Sequence, residues 1–381
     1  MRQRSNSGSA ESSDSENSDS VPERPELRGV TSQKLVLLSP CALFPNHPRT
    51  IFFSNDPNLN ETNIPSGCKL EQYEIKDKRF MVVYKAYKNL PLCLSEPMKF
   101  NNIIRTKLFE DTNIIWKLLK KEKMYPILDE IHPYQRFNHF PITWQISRKD
   151  NLYTNFKRMQ NQFPNDFNYM PESFILPKDK DVLLNKLQNY RYSPDNMWLI
   201  KPVASSRGRG IKMMTSLEML PSKGLVTHYI SNPSLINGKK FDLRLYVLLT
   251  GFSPLKIYLY DDGLARFASE TYTLNEESMA NTFIHLTNYS INKNSENFQK
   301  NDDVNNEEGS KWSLKTLIAH YKNLGIDFSP TWQKIKDIII KTYLSICDEG
   351  IPFIKKFELA PDNLFEIYGI DILLDNLLNP W

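Results

Sequence analysis

The stretch KKFDLRLYVLL, starting at Lys239, limits what this chain can fold into more than any other part of it. Successive side chains of a strand point to opposite faces, so Lys240, Asp242 and Arg244 share one face and Phe241, Leu243 and Leu245 the other. A strand is therefore expected over 241–250. Because it continues into an apolar run, it is either a central strand whose charged face looks into a cleft or an edge strand with a wet face.

The surroundings read as mixed α/β. A strand is expected at 174–176, a helix at 179–189, a strand at 197–200 and another at 227–230. After 241–250 the reading gives a hairpin, 256–260 and 264–268, turned by Asp261-Asp262-Gly263. The polar stretch 292–309 reads as a long exposed loop before a helical section over 311–355, and 365–374 reads as a strand by its aromatic and β-branched content. Upstream, helical periodicity is expected over 104–123 (Ile115, Leu118, Leu119) and 148–162 (Leu152, Phe156, Met159).

At 381 residues there is room for about two or three domains. Residues 1–33 are rich in serine and acids and too poor in apolar side chains to offset their ordering entropy, so they are expected to be disordered, with order beginning at Lys34. Prolines and asparagines over 40–65 suggest irregular connections. The net charge of +4 favours an acidic partner but is too small to imply nucleic acid. Cys41, Cys68, Cys93 and Cys347 lie far apart without metal-like spacing, the pattern of a reduced cytosolic protein. No run reaches the ~18 apolar residues of a membrane span.

Chemistry concentrates in four words. WLIKPVASSRGRG, 198–210, is a strand, a lysine and a loop of little bulk. Ala204, Ser205, Ser206, Gly208 and Gly210 allow backbone N–H groups to close on phosphate oxygens, and Lys201, Arg207, Arg209 and Lys212 supply charge. The same residues also suit a solvated connection, and they match neither the Walker nor the dinucleotide pattern. In FEIYGIDILLD, Gly369, Asp371, Leu373 and Asp375 share one strand face, and Tyr368, Ile370 and Ile372 the other. A carboxylate in such a run needs a cation or a metal. Asp371 thus reads as a magnesium ligand, or as a strand-end aspartate facing water. Arg266 sits in GLARFAS, and Asn288 in HLTNYSINKNS, where Asn and Thr also suit turns. His228 and His285 have no ligand-like spacing and read as structural or peripheral. No Ser/His or Cys/His constellation for nucleophilic catalysis is present.

In this order and spacing these words resemble the tubulin tyrosine ligase-like proteins, and within them the branch that initiates side-chain glutamylation. The resemblance spans about 130–381, including NHFP at 138–141 and the helix opening at SRKD. It implies an α/β ATP-grasp fold in which two α/β domains hold ATP between them. The domain layout is then a tail (1–33), a small amino-terminal domain (34–143), a central domain (144–226) and a carboxyl-terminal domain (227–381). It implies that Lys149 and Lys201 contact the ATP phosphates and that Ser205, Ser206, Arg207, Gly208, Arg209, Gly210 and Ile211 form a loop over them. Tyr229 and Ile230 fall on the hinge, Lys240 and Asp242 at the nucleoside end. Arg244 and Arg266 fall at the transferring phosphate and acceptor with Asn288 beside them, and Asp371 is the first Mg2+ ligand. Arginine at position 207 goes with initiating rather than elongating enzymes.

Two departures stand out. The hinge, Gln-Lys/Arg-Tyr in the family, reads Thr227-His228-Tyr229, which weakens a base-side contact. The family also continues past its final tryptophan into a strand bearing a magnesium-binding Glu and an Asn, whereas this sequence stops at Trp381. The expectation is a ligase cut short, its last strand and helices missing, and inactive or nearly so as it stands. The activity implied is ATP-dependent addition of free glutamate, through an acyl phosphate, to glutamate side chains in the acidic tails of α/β-tubulin. The expected protein is monomeric, without a nucleic-acid partner or membrane span, and found in the cytoplasm on microtubules, with cilium and basal body as further sites. A glycylase or tyrosine ligase of the same family, or a non-catalytic microtubule-binding module, are the alternatives.

Overall fold

A computed structural model describes residues 34–39, 50–54, 69–73, 83–86, 90–100, 103–105, 112–117, 124–133 and 135–381, the last apart from 189, 191–192, 194–195, 204, 276, 302 and 361. The 1–33 tail, Cys41, Cys68, Leu118, Leu119 and Ala204 lie outside these. The chain divides into two compact units, residues 1–81 with 97–103, and 82–96 with 104–381. The first holds an antiparallel sheet in the order β2-β1-β3, from β1 (Lys34–Ser39), β2 (Thr50–Ser54) and β3 (Lys69–Tyr73).

The second unit opens with a parallel sheet of short strands, β4 (Val83–Ala86), β5 (Ile104–Arg105), β6 (Ile114–Trp116) and β7 (Arg136–Phe137), in the order β5-β4-β6-β7. α1 (Leu92–Phe100) comes between β4 and β5 in the chain, and α2 (Tyr125–Glu130) between β6 and β7. Residues 106–111 and 118–123 of the helix expected over 104–123 lie outside the described residues, and the rest are not helical: 104–105 and 114–116 are strands. Ile115 is fully buried in one of them, and two or three apolar residues in a buried strand mimic one turn of a helical stripe. The NHFP word pins this sheet to the end of the chain. Phe137 N–H donates to Asn363 O, His139 Nδ1 lies 2.9 Å from Glu366 Oε1, and Phe140 N–H donates to Glu366 Oε2 at 3.0 Å.

Next come α3 (Trp144–Ser147) and α4 (Lys149–Gln162), the latter as expected. They lead to β8 (Ser173–Leu176), α5 (Lys180–Lys186), β9 (Trp198–Lys201), β10 (Lys212–Met214) and β11 (Gly224–His228). These strands form an antiparallel sheet in the order β10-β9-β11-β8. One of its faces packs a small core of Phe174, Leu183, Trp198, Ile200, Met214 and Val226.

The last sheet is built on β12 (Leu235–Ile236), β13 (Lys239–Phe252), β14 (Leu255–Phe267), β15 (Lys311–Ser313) and β16 (Glu366–Ile372). β13 lies between β14 and β16, all antiparallel, so the central-strand reading holds. Phe241, Leu243, Leu245, Val247 and Leu249 are fully buried or nearly so against α8 (Leu314–Asn323), α9 (Ser329–Leu344) and α10 (Cys347–Lys356). The helical section thus begins three residues later than expected, because 311–313 pair with β14. Burying these faces supplies most of the drive to fold, at about 25 cal/mol per Å² of apolar surface.

The hairpin turn is not at Asp261-Asp262-Gly263. β14 runs straight through it, and the chain reverses at Ser253-Pro254. A bulge falls there instead: Leu245 pairs with Gly263 and Val247 with Leu259, so Tyr246 alone opposes 260–262. Asp262 Oδ1 accepts from Leu314 N–H at 3.0 Å and so caps α8. Glycine is required at 263 because a Cβ there would lie 2.7 Å from Arg244 O. The Asp-Gly pair is thus a cap and a close approach, which a turn signal cannot be told from in sequence. No helix among the described residues is long and apolar enough to cross a membrane.

Candidate functional site

Register assembles a charged lattice on the open face of the last sheet. Asp242 pairs with Arg266 across β13 and β14, and Arg244 with Asp371 across β13 and β16. Arg266 forks onto Asp242, with Nε to Oδ1 at 2.8 Å and Nη2 to Oδ2, and its Nη2 also reaches Asp371 Oδ1 at 2.9 Å. Arg244 holds the same carboxylate from the other side, Nε to Oδ1 at 2.6 Å and Nη2 to Oδ2 at 3.2 Å. Two carboxylates and two guanidiniums therefore alternate on three adjacent strands. Gly369 makes this possible, because a Cβ there would meet Arg244 Nη1 at 2.5 Å.

The members differ in environment. Arg266 and Asp242 are nearly covered, their side chains 11% and 14% exposed, while Asp371 is 46% exposed. Burial lifts the Asp242 pKa in spite of the Arg266 fork and a hydrogen bond with Thr287. Arg266 is held firmly protonated by Asp242 and Asp371 against burial. The compensation that a carboxylate in the last apolar run calls for is present here as two arginines.

Beside this lattice are lysines without a carboxylate fork, one each on β9, β13 and α4. Lys201 ends β9, and burial first, then repulsion from Lys149, push its pKa down to about 8. Lys240 on β13 is 6% exposed and is pushed down to about 7, chiefly by burial, with Lys201 adding repulsion and Asp242 opposing it. Burial also lowers Lys149, the first residue of α4. Cations held at this electrostatic cost are what a polyanion relieves.

The 205–210 loop is gripped from both sides. Lys149 Nζ donates to Ser205 O, and Ser290 Oγ, in α7 (Tyr289–Asn292), donates to Arg207 O at 2.9 Å. Arg207, Gly208 and Gly210 all have positive φ, at 62, 73 and 74°. A Cβ at 208 would sit 2.5 Å from Asn288 Oδ1, so this glycine lets the loop lie against Asn288. The Arg207, Arg209 and Lys212 side chains are exposed rather than turned inward. Beside the loop, half-buried Ile211 packs on an apolar cluster of Met197, Leu199, Met213, Tyr229 and Met279, a surface suited to a flat ring.

Two expected positions take on a different character. The Tyr229 N–H already donates to Met197 O at 2.8 Å, and its side chain, 2% exposed, turns to Lys240. Half-buried Ile230 lies two residues past the end of β11. Sequence reasoning missed Lys311 and gave His285 no role. Lys311 pairs in register with Arg266, lies 3.9 Å from the Tyr289 ring centroid, and is lowered by burial and by Arg266. In sequence it ends a polar loop, where a lysine looks merely solvated. Among the described residues no group of three or more His, Cys, Asp and Glu side chains is placed to hold a metal ion. Cys93 and Cys347 are both free thiols.

Known proteins are similar to this chain over most of its length. A profile of the tubulin-tyrosine ligase family matches residues 128–381. Human tubulin monoglutamylase TTLL4 is 36% identical over 345 residues, covering 89% of this chain and 27% of that protein. Mouse tubulin polyglutamylase TTLL5 is 40% identical over 71% of this chain and 20% of its own length. A probable beta-tubulin polyglutamylase of Tetrahymena thermophila is 40% identical over 67% of this chain and 22% of its own length. The chain thus spans about a quarter of the length of these relatives.

Proposed function

Because this chain belongs to the tubulin-tyrosine ligase family, we propose that its cleft is an ATP-grasp ligase site joining glutamate to glutamate side chains of acidic tubulin tails. The observation that carries this is a group of lysines whose pKa burial lowers, Lys201 and Lys240, beside an arginine-carboxylate lattice. The names of the relatives supply the amino acid and the acceptor.

The residues fit the nucleotide. Lys201, Lys149 and Lys240 form a cationic group relieved by a triphosphate, and the cluster at Ile211, Leu199 and Met213 offers an apolar face to a base. Tyr229 contributes by holding Lys240, and the 227–230 hinge contributes backbone carbonyls. For magnesium the described residues offer the carboxylate of Asp371, whose oxygens are bonded to Arg244 and Arg266, so an ion there would share it with the arginines. Asp371 is half-exposed, and Mg2+ commonly takes one or two carboxylates together with substrate phosphates and water. Bound there, the ion would neutralise charge on the phosphates.

A carboxylate does not acylate an amine at neutral pH because oxide is a poor leaving group. The acceptor γ-carboxylate oxygen first attacks the ATP γ-phosphorus, the bond to the β-phosphate oxygen breaks, and ADP leaves. The amine of free glutamate then attacks the acyl phosphate carbonyl, the C–N bond forms, the C–O bond to phosphate breaks, and the amine proton passes to phosphate or water. Arg266 and Arg244 stabilise charge building on the phosphoryl group and on the tetrahedral centre, in a site where such donors act without reorganisation. Lys311 adds a cation beside Arg266 for a carboxylate of the incoming amino acid. Ser205, Ser206, Gly208 and Gly210 close backbone over the phosphates, with Asn288 behind them, and the exposed Arg207 side chain is free to meet the acceptor. The protein acts in the cytoplasm on microtubules as a monomer.

The test is incubation of the full-length protein with Mg·ATP, an acidic tubulin-tail peptide and isotope-labelled glutamate, glycine or tyrosine, read by mass spectrometry. Glutamate on an internal side chain, dependent on ATP, is expected. Glycine or tyrosine transfer would move the protein to another activity of the family. No transfer, with co-sedimentation on microtubules, would leave a binding module.

A further inference from the structure

We infer that His285 is a positioning residue for Lys240, acting through the Tyr229 hydroxyl to aim the lysine ammonium into the nucleotide cleft. The inference rests on the nucleotide reading above and deepens it.

The groups form one continuous chain. Lys240 Nζ donates to Tyr229 Oη at 2.9 Å, Tyr229 Oη lies 3.1 Å from His285 Nδ1, and His285 Nε2 lies 3.1 Å from Ser278 O. Chemistry fixes the two ends of it. An ammonium can only donate, so the Tyr229 oxygen accepts and its own proton must go elsewhere. Two groups stand in reach of it, the Tyr272 side chain, also hydrogen-bonded to Tyr229, and His285 Nδ1. The Ser278 carbonyl can only accept, which puts the imidazole proton on Nε2 and turns the Nδ1 lone pair of the neutral ring to Tyr229 Oη. Ser278 supplies that carbonyl and is itself fixed, its N–H donating to Asn275 Oδ1 at 2.8 Å.

The surroundings keep the ring neutral and in place. His285, at the end of α6 (Thr282–His285), is 3% exposed. Tyr229 and Tyr272 meet its ring edge-on at 5.7 and 5.9 Å. Burial first, then the charge of Lys240, hold its pKa down to about 4. Lys240, 4.3 Å from the Tyr229 ring centroid, thus has one of its three donors committed, which sets the direction of the other two. His285 and Asn288 stand three residues apart in the HLTNYS word, so that word serves the cleft at two points.

Three variants of the full-length protein test this: His285→Phe, which keeps a ring and removes the acceptor; His285→Asn, which returns an acceptor oxygen near Nδ1; and Tyr229→Phe. The readouts are the Kd of a non-hydrolysable Mg·ATP analogue by calorimetry, and KM against kcat for ATP. His285→Phe is expected to weaken analogue binding and raise KM about tenfold with kcat little changed, as for loss of one oriented hydrogen bond to a charged group. His285→Asn should recover most of that. The double variant His285→Phe with Tyr229→Phe should be no weaker than the weaker single variant, because both act through one chain. Unchanged binding in His285→Phe, or additive losses in the double variant, would overturn the inference while leaving the nucleotide reading intact. If the unsubstituted protein binds no analogue, the nucleotide reading fails and this inference with it.

Discussion

Replacing Arg266 with alanine is expected to slow ligation by about a hundredfold to a thousandfold and to cost about 3–5 kcal/mol of stability. Both effects have the same origin. Arg266 is the only described side chain bonded to both carboxylates of the lattice, forking onto Asp242 and reaching Asp371. Its removal leaves Asp242, 14% exposed, as a covered carboxylate without its counter-ion. Burial already lifts the Asp242 pKa, so loss of the guanidinium should lift it further, and the stability loss should shrink as pH falls. Arg266→Lys should keep some stability but little activity, since an ammonium cannot fork onto one carboxylate and reach a second. Denaturant titration at two pH values beside steady-state rates reads both effects. A variant of normal stability and rate would mean that the lattice is ornamental.

Lys201→Met is expected to weaken nucleotide binding about a hundredfold without destabilising the empty protein. The opposite signs follow from the pKa. The Lys201 value falls from 10.5 unfolded to about 8 folded, so the folded state binds this proton less tightly than the unfolded state. The destabilisation is fully present below about 8 and fades as pH rises towards 10.5. Methionine keeps the packing and removes both the desolvated charge and its repulsion with Lys149 and Lys240. The empty variant should therefore melt at or above the parent temperature at neutral pH, with the advantage vanishing in alkali, while a nucleotide analogue protects it far less. A variant that melts lower and binds nucleotide normally would make Lys201 an ordinary structural lysine.

The alternation of KKFDLRLYVLL was enough to place Lys240, Asp242 and Arg244 on one face, and the apolar continuation was enough to raise the central strand. What it could not carry was who pairs with whom. Asp242 meets Arg266 and Arg244 meets Asp371 only through the cross-strand registers of β13 with β14 and β16. The β14 register depends on a turn at Ser253-Pro254 and a bulge opposite Tyr246, and the local signal at Asp261-Asp262-Gly263 pointed to the wrong turn. The short strands β5 and β6 were hidden for another reason. A strand of two or three residues is too short to display an alternation, and a few apolar residues in a row fit either period. The loop residues were legible as small and flexible, yet their grip by Lys149 and Ser290 is a tertiary fact. His285 was visible only as a lone histidine, and nothing local announces that its lone pair directs a tyrosine and, through it, a lysine.

The claim at the centre of this account is that the cleft activates a side-chain carboxylate by phosphorylating it. The most direct test uses a tubulin-tail peptide whose glutamate side-chain carboxylates carry oxygen-18, incubated with the full-length protein, Mg·ATP and glutamate, with the released phosphate examined by mass spectrometry. The account predicts one labelled oxygen in phosphate for each isopeptide bond formed, with ADP released in the same amount and none of it without the acceptor peptide. Bond formation that leaves the phosphate unlabelled would contradict it.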